Sequence, residues 1–437
     1  MKSFLIKNKF IPCGKITLAG DKSIAHRALI LSSLSCGKTI VKNFPIHDDS
    51  LATLAVLGAL GVKILRKNDQ VYVFGKGKHG LFMPQKPIFV KDSGTTLRLL
   101  LGVLAGQNFK TKVTAGKYLS LRPMARVNIP LRLMGAKIIS KIKGNDEYAP
   151  IVIGSGNLKG ITYRVPVASA QVKSAILLAG LFARGKTRLI EKVLTRDHTE
   201  RMLRIFGADI VIRDKSITLN PEKHLVSPQE IYIPGDISSA AFFVVLALII
   251  PGAKVIIEKV GLNPTRNGII RILKRMGAGI KIIPLKKDKT QGYEPIGNLI
   301  VKSSKLKGTV VSPCEIPSLI DELPILMVAA CFAQGKTIIK GAGELRVKET
   351  DRINSMVKNL INMGADIQVK KDNLAENIII QGQGRLIGAS LKSFSDHRTA
   401  MSMIVAALAA EGKSSIDDVA CISKSFPGFL TALDSLA

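Results

Sequence analysis

Runs of apolar residues at helical period alternate along this chain with short segments in which apolar and polar residues take turns, the marks of helices and half-buried strands. Five helix-to-strand corners share one pattern: Leu60-Gly61-Val62-Lys63-Ile64, Met134-Gly135-Ala136-Lys137-Ile138, Phe206-Gly207-Ala208-Asp209-Ile210, Met276-Gly277-Ala278-Gly279-Ile280 and Met363-Gly364-Ala365-Asp366-Ile367. They recur every ~70 to 87 residues, which marks an internal repeat. In each copy a helix is expected to close on a left-handed glycine before a strand begins. A second element precedes each corner: a polar start, a largely apolar helix, then Gly-Lys-Thr or a similar turn into a strand. Its starts are Asp21-Lys22-Ser23, Asp92-Ser93-Gly94-Thr95, Ser169-Ala170-Gln171, Asp236-Ile237-Ser238-Ser239, Ser318-Leu319-Ile320-Asp321 and Ser395-Asp396-His397-Arg398. The pattern predicts six βαβαββ units. The sixth lacks the second corner, and the strand around Lys15 to Leu18 is expected to complete it, with both termini in one domain.

Polar N-cap residues at six helix starts satisfy free N–H groups. If the starts share one side, their positive ends suit an anion. One apparent motif falls away on order alone. Gly180-Leu181-Phe182-Ala183-Arg184-Gly185-Lys186-Thr187 satisfies the nucleotide P-loop expression, but that loop follows a strand and opens a helix. Here the apolar helix comes first and the strand Arg188 to Glu191 second. Gly37-Lys38-Thr39 and Gly335-Lys336-Thr337 hold the same place in other units, so all three are read as turns and not as ATP sites.

At 437 residues, 46% of them hydrophobic, two domains are expected. The apolar stretch Ala240 to Ile250 is too short to cross a bilayer and stops at Pro251-Gly252. The N-terminal residues show no apolar secretion segment. Five cysteines, odd in number and widely spaced, predict neither a disulfide framework nor a metal site, and a reducing, cytoplasmic setting. The net charge of +32 first suggests nucleic acid. Lys and Arg are scattered without a basic tail, Trp is absent, and no glycine-aromatic RNA motif occurs, so nucleic acid is not the expected partner. A small polyanionic substrate needs only a few of these charges.

Five clusters are more polar than their surroundings. Gly20-Asp21-Lys22-Ser23-Ile24-Ala25-His26-Arg27 sets Ser23 and Arg27 on one helical face. Leu121-Arg122-Pro123-Met124-Ala125-Arg126 places two guanidiniums beside a proline. Thr195-Arg196-Asp197-His198-Thr199-Glu200 opens another helix, Arg346 to Arg352 packs five ionisable groups into seven residues, and Asp396-His397-Arg398 caps the last helix. Singly, each reads better as a surface charge run. Together, Gly-Asp-Lys-Ser-x-x-x-Arg at 20 to 27, Leu-Arg-Val-Lys-Glu-Thr-Asp-Arg at 345 to 352 and Asp-His-Arg at 396 to 398 resemble the 5-enolpyruvylshikimate-3-phosphate synthases, through all six units. The forms at 169 to 173 and 196 to 200 are similar to the second class of these enzymes.

The resemblance implies an α/β fold of two inside-out α/β barrel domains, three βαβαββ units each, joined by a double crossover with the site between them. Residues 1–20 and 235–437 would form the terminal domain and 21–234 the inserted one. Shikimate 3-phosphate contacts would fall on Lys22, Ser23, Arg27, Ser169, Ala170, Gln171, Arg196, Asp321 and Lys348. Phosphoenolpyruvate contacts would fall on Lys22, Gly94, Arg122, Gln171, Glu349, Arg352 and Arg398, with His397 adjacent. Lys22, Asp321 and Glu349 are the catalytic candidates, with no cofactor, no metal and no membrane partner expected, and the chain acting as a monomer.

The chemistry agrees with that assignment. Each substrate brings a carboxylate and a phosphate, which several fixed guanidiniums must hold. C3 of phosphoenolpyruvate gains a proton as a hydroxyl attacks C2, and the tetrahedral intermediate then loses phosphate and that proton, so acid and base groups are needed. Asp321 is a candidate for the 5-hydroxyl; Glu349 and Lys22 are candidates at C3 and at the leaving phosphate. Two departures stand out: Asp92 where most relatives carry Asn, and Ala420 where first-class members carry Lys, with Lys424 close by. The rival on the same fold, an enolpyruvyl transferase acting on UDP-N-acetylglucosamine, typically uses a cysteine near the segment 117 to 122, and this chain has no cysteine between Cys36 and Cys314. A non-catalytic polyanion- or RNA-binding protein is the rival from another class, supported by net charge alone.

Overall fold

Five of the six polar starts cap a helix through their side chains. Asp21 accepts from the Ile24 N–H ahead of α1 (Lys22–Leu34), and Ser93 from Thr96 ahead of α2 (Gly94–Leu104). Ser169 does so for α3 (Ala170–Gly180), Asp236 for α4 (Ile237–Ile249) and Asp396 for α6 (His397–Ala409). The fifth start differs from expectation. Ser318 ends a 3-10 turn, Ile316–Ser318, and α5 (Leu323–Phe332) begins later, with Glu322 at its cap making no side-chain cap bond. Pro324 sets that start, because a proline in the first turn needs no N–H partner and is already at helical φ.

The computed structural model describes residues 4–6, 10–154, 156–285, 293–372 and 375–437. The chain divides into two units, one of residues 1–18, 235–286 and 295–437, the other of 19–234 and 287–294. The fold is α/β. In the inserted unit α1, α2 and α3 are buried almost all round and pack into one apolar core. Helices with no polar face must be enclosed. Three four-stranded sheets of this unit supply inner faces to that core. The terminal unit repeats the plan around α4, α5 and α6, with two four-stranded sheets and one of three strands among its described residues.

Each four-stranded sheet has one parallel pair and then two antiparallel pairs, as at Ile88–Phe89, Thr111–Thr114, Asp146–Gly154 and Lys137–Lys143. Two sheets borrow their parallel edge. Cys13–Thr17 precedes α1 in the chain but pairs with Lys254–Gly261 of the terminal unit, while Glu230–Tyr232 precedes α4 but pairs with Cys36–Lys42 of the inserted unit. The strand around Lys15 therefore completes the fourth repeat and not the expected sixth. Phe4–Ile6 instead lies antiparallel to Ser414–Ile416 in the sixth. Ala19, Gly20, Tyr293 and Glu294 group with the inserted unit: Tyr293 donates its hydroxyl to Tyr232 O at 3.1 Å, and Glu294 Oε1 lies 2.6 Å from His198 Nδ1.

All five corner glycines take left-handed backbone, with φ of 86° at Gly61, 106° at Gly135, 80° at Gly207, 92° at Gly277 and 84° at Gly364. A side chain there would crowd the following carbonyl. Gly185 turns α3 into the strand Thr187–Glu191, an order opposite to a P-loop. No helix among the described residues is long and apolar enough to cross a membrane.

Candidate active site

In the inserted unit the starts of α1, α2 and α3 are tied together by buried polar side chains. The first turn of α1 carries Lys22, Ser23 and Arg27. Lys22 Nζ lies 3.0 Å from Asp49 Oδ2. Arg27 is buried, with Nη1 donating to Ser23 O at 2.8 Å, Nη2 to Ser174 Oγ at 2.7 Å and Nε to Thr199 Oγ1 at 2.6 Å. Burial lowers its guanidinium to about 10, with the charges of Glu200 and Asp21 opposing and that of Arg196 adding to the fall. Ser23, Arg27 and Arg196 thus belong to one neighbourhood. A buried chain of hydrogen bonds runs from His26 Nδ1 to Thr53 Oγ1 at 2.6 Å, on to Thr96 Oγ1 at 2.7 Å and to Ser93 Oγ at 2.7 Å.

Gly94 opens α2, and two guanidiniums stand over it. A Cβ added at Gly94 would meet Arg122 Nη1 at 3.1 Å and Arg98 Nη1 at 3.2 Å, so the missing side chain is what lets them approach the helix end. Gln171, on the first turn of α3 beside Ser169 and Ala170, accepts from Arg98 Nη1 at 2.6 Å and donates to Thr95 Oγ1 at 3.0 Å. A helix N-terminus faced by two arginines binds an anion by both charge and N–H donation. On α3 itself, the buried Lys173 bridges Glu191 at 3.0 Å and Glu200 at 2.6 Å and donates to Thr195 O, which anchors the segment carrying Arg196. Burial alone would lower the Lys173 ammonium; Glu200 and Glu191 more than reverse that.

The terminal unit gathers Asp321, Lys348, Glu349, Arg352 and Arg398. Arg352 is almost fully buried and sits among three carboxylates: Nε donates to Asp396 Oδ2 at 2.9 Å, Nη2 to Glu349 Oε2 at 2.5 Å, and Nη1 lies 3.7 Å from Asp321 Oδ1. Burial works against its charge, but Asp396, Glu349 and Asp321 outweigh it and raise its pKa. Arg398 Nη1 donates to Asp321 O at 2.8 Å. Desolvation lowers the Lys348 ammonium, against the fields of Asp321 and Glu344. His397 follows Asp396 at the start of α6 and is buried.

Three residues near these groups escaped the sequence reading as site members. Arg98 was legible, since it is a lone charge in the otherwise apolar helix Gly94–Leu104, four residues after Gly94. Glu322 was hidden beside Asp321. Lys424, noted only for nearness to Ala420, ends the 3-10 turn Ala420–Lys424 and donates to Ser395 O at 3.4 Å, next to the cap of α6. Among the described residues no cluster of His, Cys, Asp and Glu is arranged to hold a metal ion.

Residues 13–433 match a family model described as EPSP synthase (3-phosphoshikimate 1-carboxyvinyltransferase). The 3-phosphoshikimate 1-carboxyvinyltransferase of Petrotoga mobilis is 46% identical over 424 residues, 97% of this chain and 96% of that one. That of Desulforudis audaxviator is 48% identical over 424 residues, with the same shares covered. An EPSP synthase structure from Acinetobacter baumannii superposes with a TM-score of 0.87 at 43% identity, covering 100% of this chain and 98% of that one.

Proposed function

From the premise that the chain belongs to the EPSP synthase family, we propose how its two constellations carry out enolpyruvyl transfer. The enzyme moves the enolpyruvyl group of phosphoenolpyruvate to the 5-hydroxyl of shikimate 3-phosphate and releases phosphate, the step toward chorismate and the aromatic amino acids. The observation that carries the division of labour is the pair of guanidiniums over Gly94. Phosphoenolpyruvate is seated there by Arg122 and the α2 N-terminus, with Gln171 and Lys22 beside it, and is held also by Arg352, Arg398 and Glu349. Arg98 and Lys424 add positive charge to the two seats. Shikimate 3-phosphate takes Ser23, Arg27, Ser169, Ala170, Gln171, Arg196 and Lys348, with Lys22 and Asp321 at its reacting end.

Asp321 orients and deprotonates the 5-hydroxyl as it attacks C2. General-base catalysis needs the carboxylate within hydrogen-bond reach of the hydroxyl whose proton it takes. Glu349 and Lys22 serve proton exchange at C3 and the leaving phosphate. Fixed cations in place before the reaction stabilise the charge that develops on that phosphate without reorganising. The chain is proposed to work as a cytoplasmic monomer on these small molecules and not on nucleic acid, which its five free cysteines and scattered charges support.

The test is phosphate release from phosphoenolpyruvate with shikimate 3-phosphate or UDP-N-acetylglucosamine as acceptor. Release is expected with the first and not the second; the reverse would overturn the reading. Asp321→Ala and Glu349→Gln should each keep substrate binding and lose at least about two orders of magnitude in turnover. Near wild-type turnover would remove that residue from the mechanism.

A further inference from the structure

Next to Asp321 lies a carboxylate that the proposed reaction does not use. The Glu322 side chain is 0% exposed. Oε1 accepts from Arg266 Nη1 at 2.7 Å and, by a short contact, from Ser238 Oγ, which in turn accepts from Arg266 Nη2. Its other oxygen, Oε2, has no hydrogen-bond partner among the described residues. A carboxylate in the interior is strongly disfavoured unless cations compensate it. Besides Arg266, the cation within reach among the described residues is Arg398, whose Nη1 is 4.0 Å from Glu322 Oε1 and whose side chain is only 7% exposed. That same Nη1 donates to the carbonyl of Asp321. Two consecutive residues thus fix one guanidinium nitrogen. Ser238 lies in the first turn of α4, Glu322 just precedes α5 and Arg398 lies in the first turn of α6, so one carboxylate ties together the three inner helix starts of this unit.

We propose that Glu322, braced by Arg266 and Ser238, is a positioning residue that aims Arg398 at phosphoenolpyruvate. This rests on the assignment of Arg398 to that substrate. Without the Glu322 charge, the Arg398 guanidinium loses its nearest fixed counter-ion and is free to turn from the geometry that the ligand needs. Shikimate 3-phosphate binding, which draws on other groups, should be largely spared.

Steady-state kinetics on folded Glu322→Gln, Arg398→Ala and the double variant test this. Glu322→Gln is expected to raise KM for phosphoenolpyruvate at least about tenfold while KM for shikimate 3-phosphate stays within about threefold. If Glu322 acts through Arg398, the double variant is no worse than Arg398→Ala alone. Equal rises in both KM values, no rise in either, or additive losses would overturn the proposal. If Arg398→Ala itself leaves KM for phosphoenolpyruvate unchanged, the assignment of Arg398 falls and this proposal with it; if only Glu322→Gln is silent, this proposal falls alone. Should Glu322→Gln not fold, Ser238→Ala removes a donor from the same oxygen and is judged by the same split.

Discussion

Asp92 shows how one atom's direction decides a residue's meaning. By sequence it stands where relatives carry Asn, and a carboxylate facing an anionic ligand would weaken binding. In the folded chain its Oδ1 accepts the Leu119 N–H at 2.8 Å, and Gly116 is so close that a Cβ there would meet the same oxygen at 2.6 Å. The carboxylate therefore holds the turn Leu119–Leu121 that leads into Arg122. Asn offers the same acceptor, so Asp92→Asn should leave phosphoenolpyruvate affinity within about twofold by calorimetry, far from the tenfold gain, about 1.4 kcal/mol, that a repelling charge would give up. Asp92→Ala, which loses the acceptor, should weaken it. The i, i+4 relation of Ser23 and Arg27 was legible from spacing; the aim of Asp92 and the pairing of Arg98 with Gln171 were not, because both partners come from distant segments.

Two elements depend on buried or partly buried charge in opposite ways. Lys173 on α3 has two carboxylates and a carbonyl around it, so Lys173→Met would strand Glu191 and Glu200 in the interior. Breaking a buried pair from one side costs about 3–5 kcal/mol, and urea unfolding of the variant should read a loss of that order. Glu147, on the strand Asp146–Gly154, clamps the helix Ala125–Leu133 by accepting from Arg132 and Asn128, and takes a further short bond from Ser140. The bond from Arg132 is the main reason that its carboxyl falls to about 2. A depressed carboxyl stabilises the fold above its unfolded pKa near 4.5, and the contribution fades as pH drops toward about 2. Glu147→Gln should therefore lower the melting temperature at neutral pH and narrow the gap to the parent protein as pH falls through that window. A constant gap from pH 7 to 2 would remove Glu147 from the acid response. The helix-to-strand corners, by contrast, need no partner to be read: left-handed glycine is a local requirement, and all five were visible as a repeated word.

For the whole molecule the excess of 32 positive charges is a long-range field acting on two anionic substrates. Salt shortens the reach of such a field to ~8 Å near physiological strength and ~3 Å at 1 M. KM for both substrates should rise steadily between low and high salt, with turnover at saturation changing less; KM values flat with salt would mean that only the contact residues matter. By itself the chain's alternation of apolar and polar positions determined the α/β class, the repeated unit, the glycine corners and five of the six capped helix starts, because each is set by neighbours within a few residues. The motifs around Lys22, Arg352 and Arg398 likewise carried the family. Only the tertiary structure decided which sheet each borrowed strand joins, that Glu294 meets His198, and that Glu322 lies beside Arg398. A strand with an open edge carries the same alternating pattern whichever sheet completes it, and a buried charge finds its counter-ion by packing, across distances in sequence that no local pattern records.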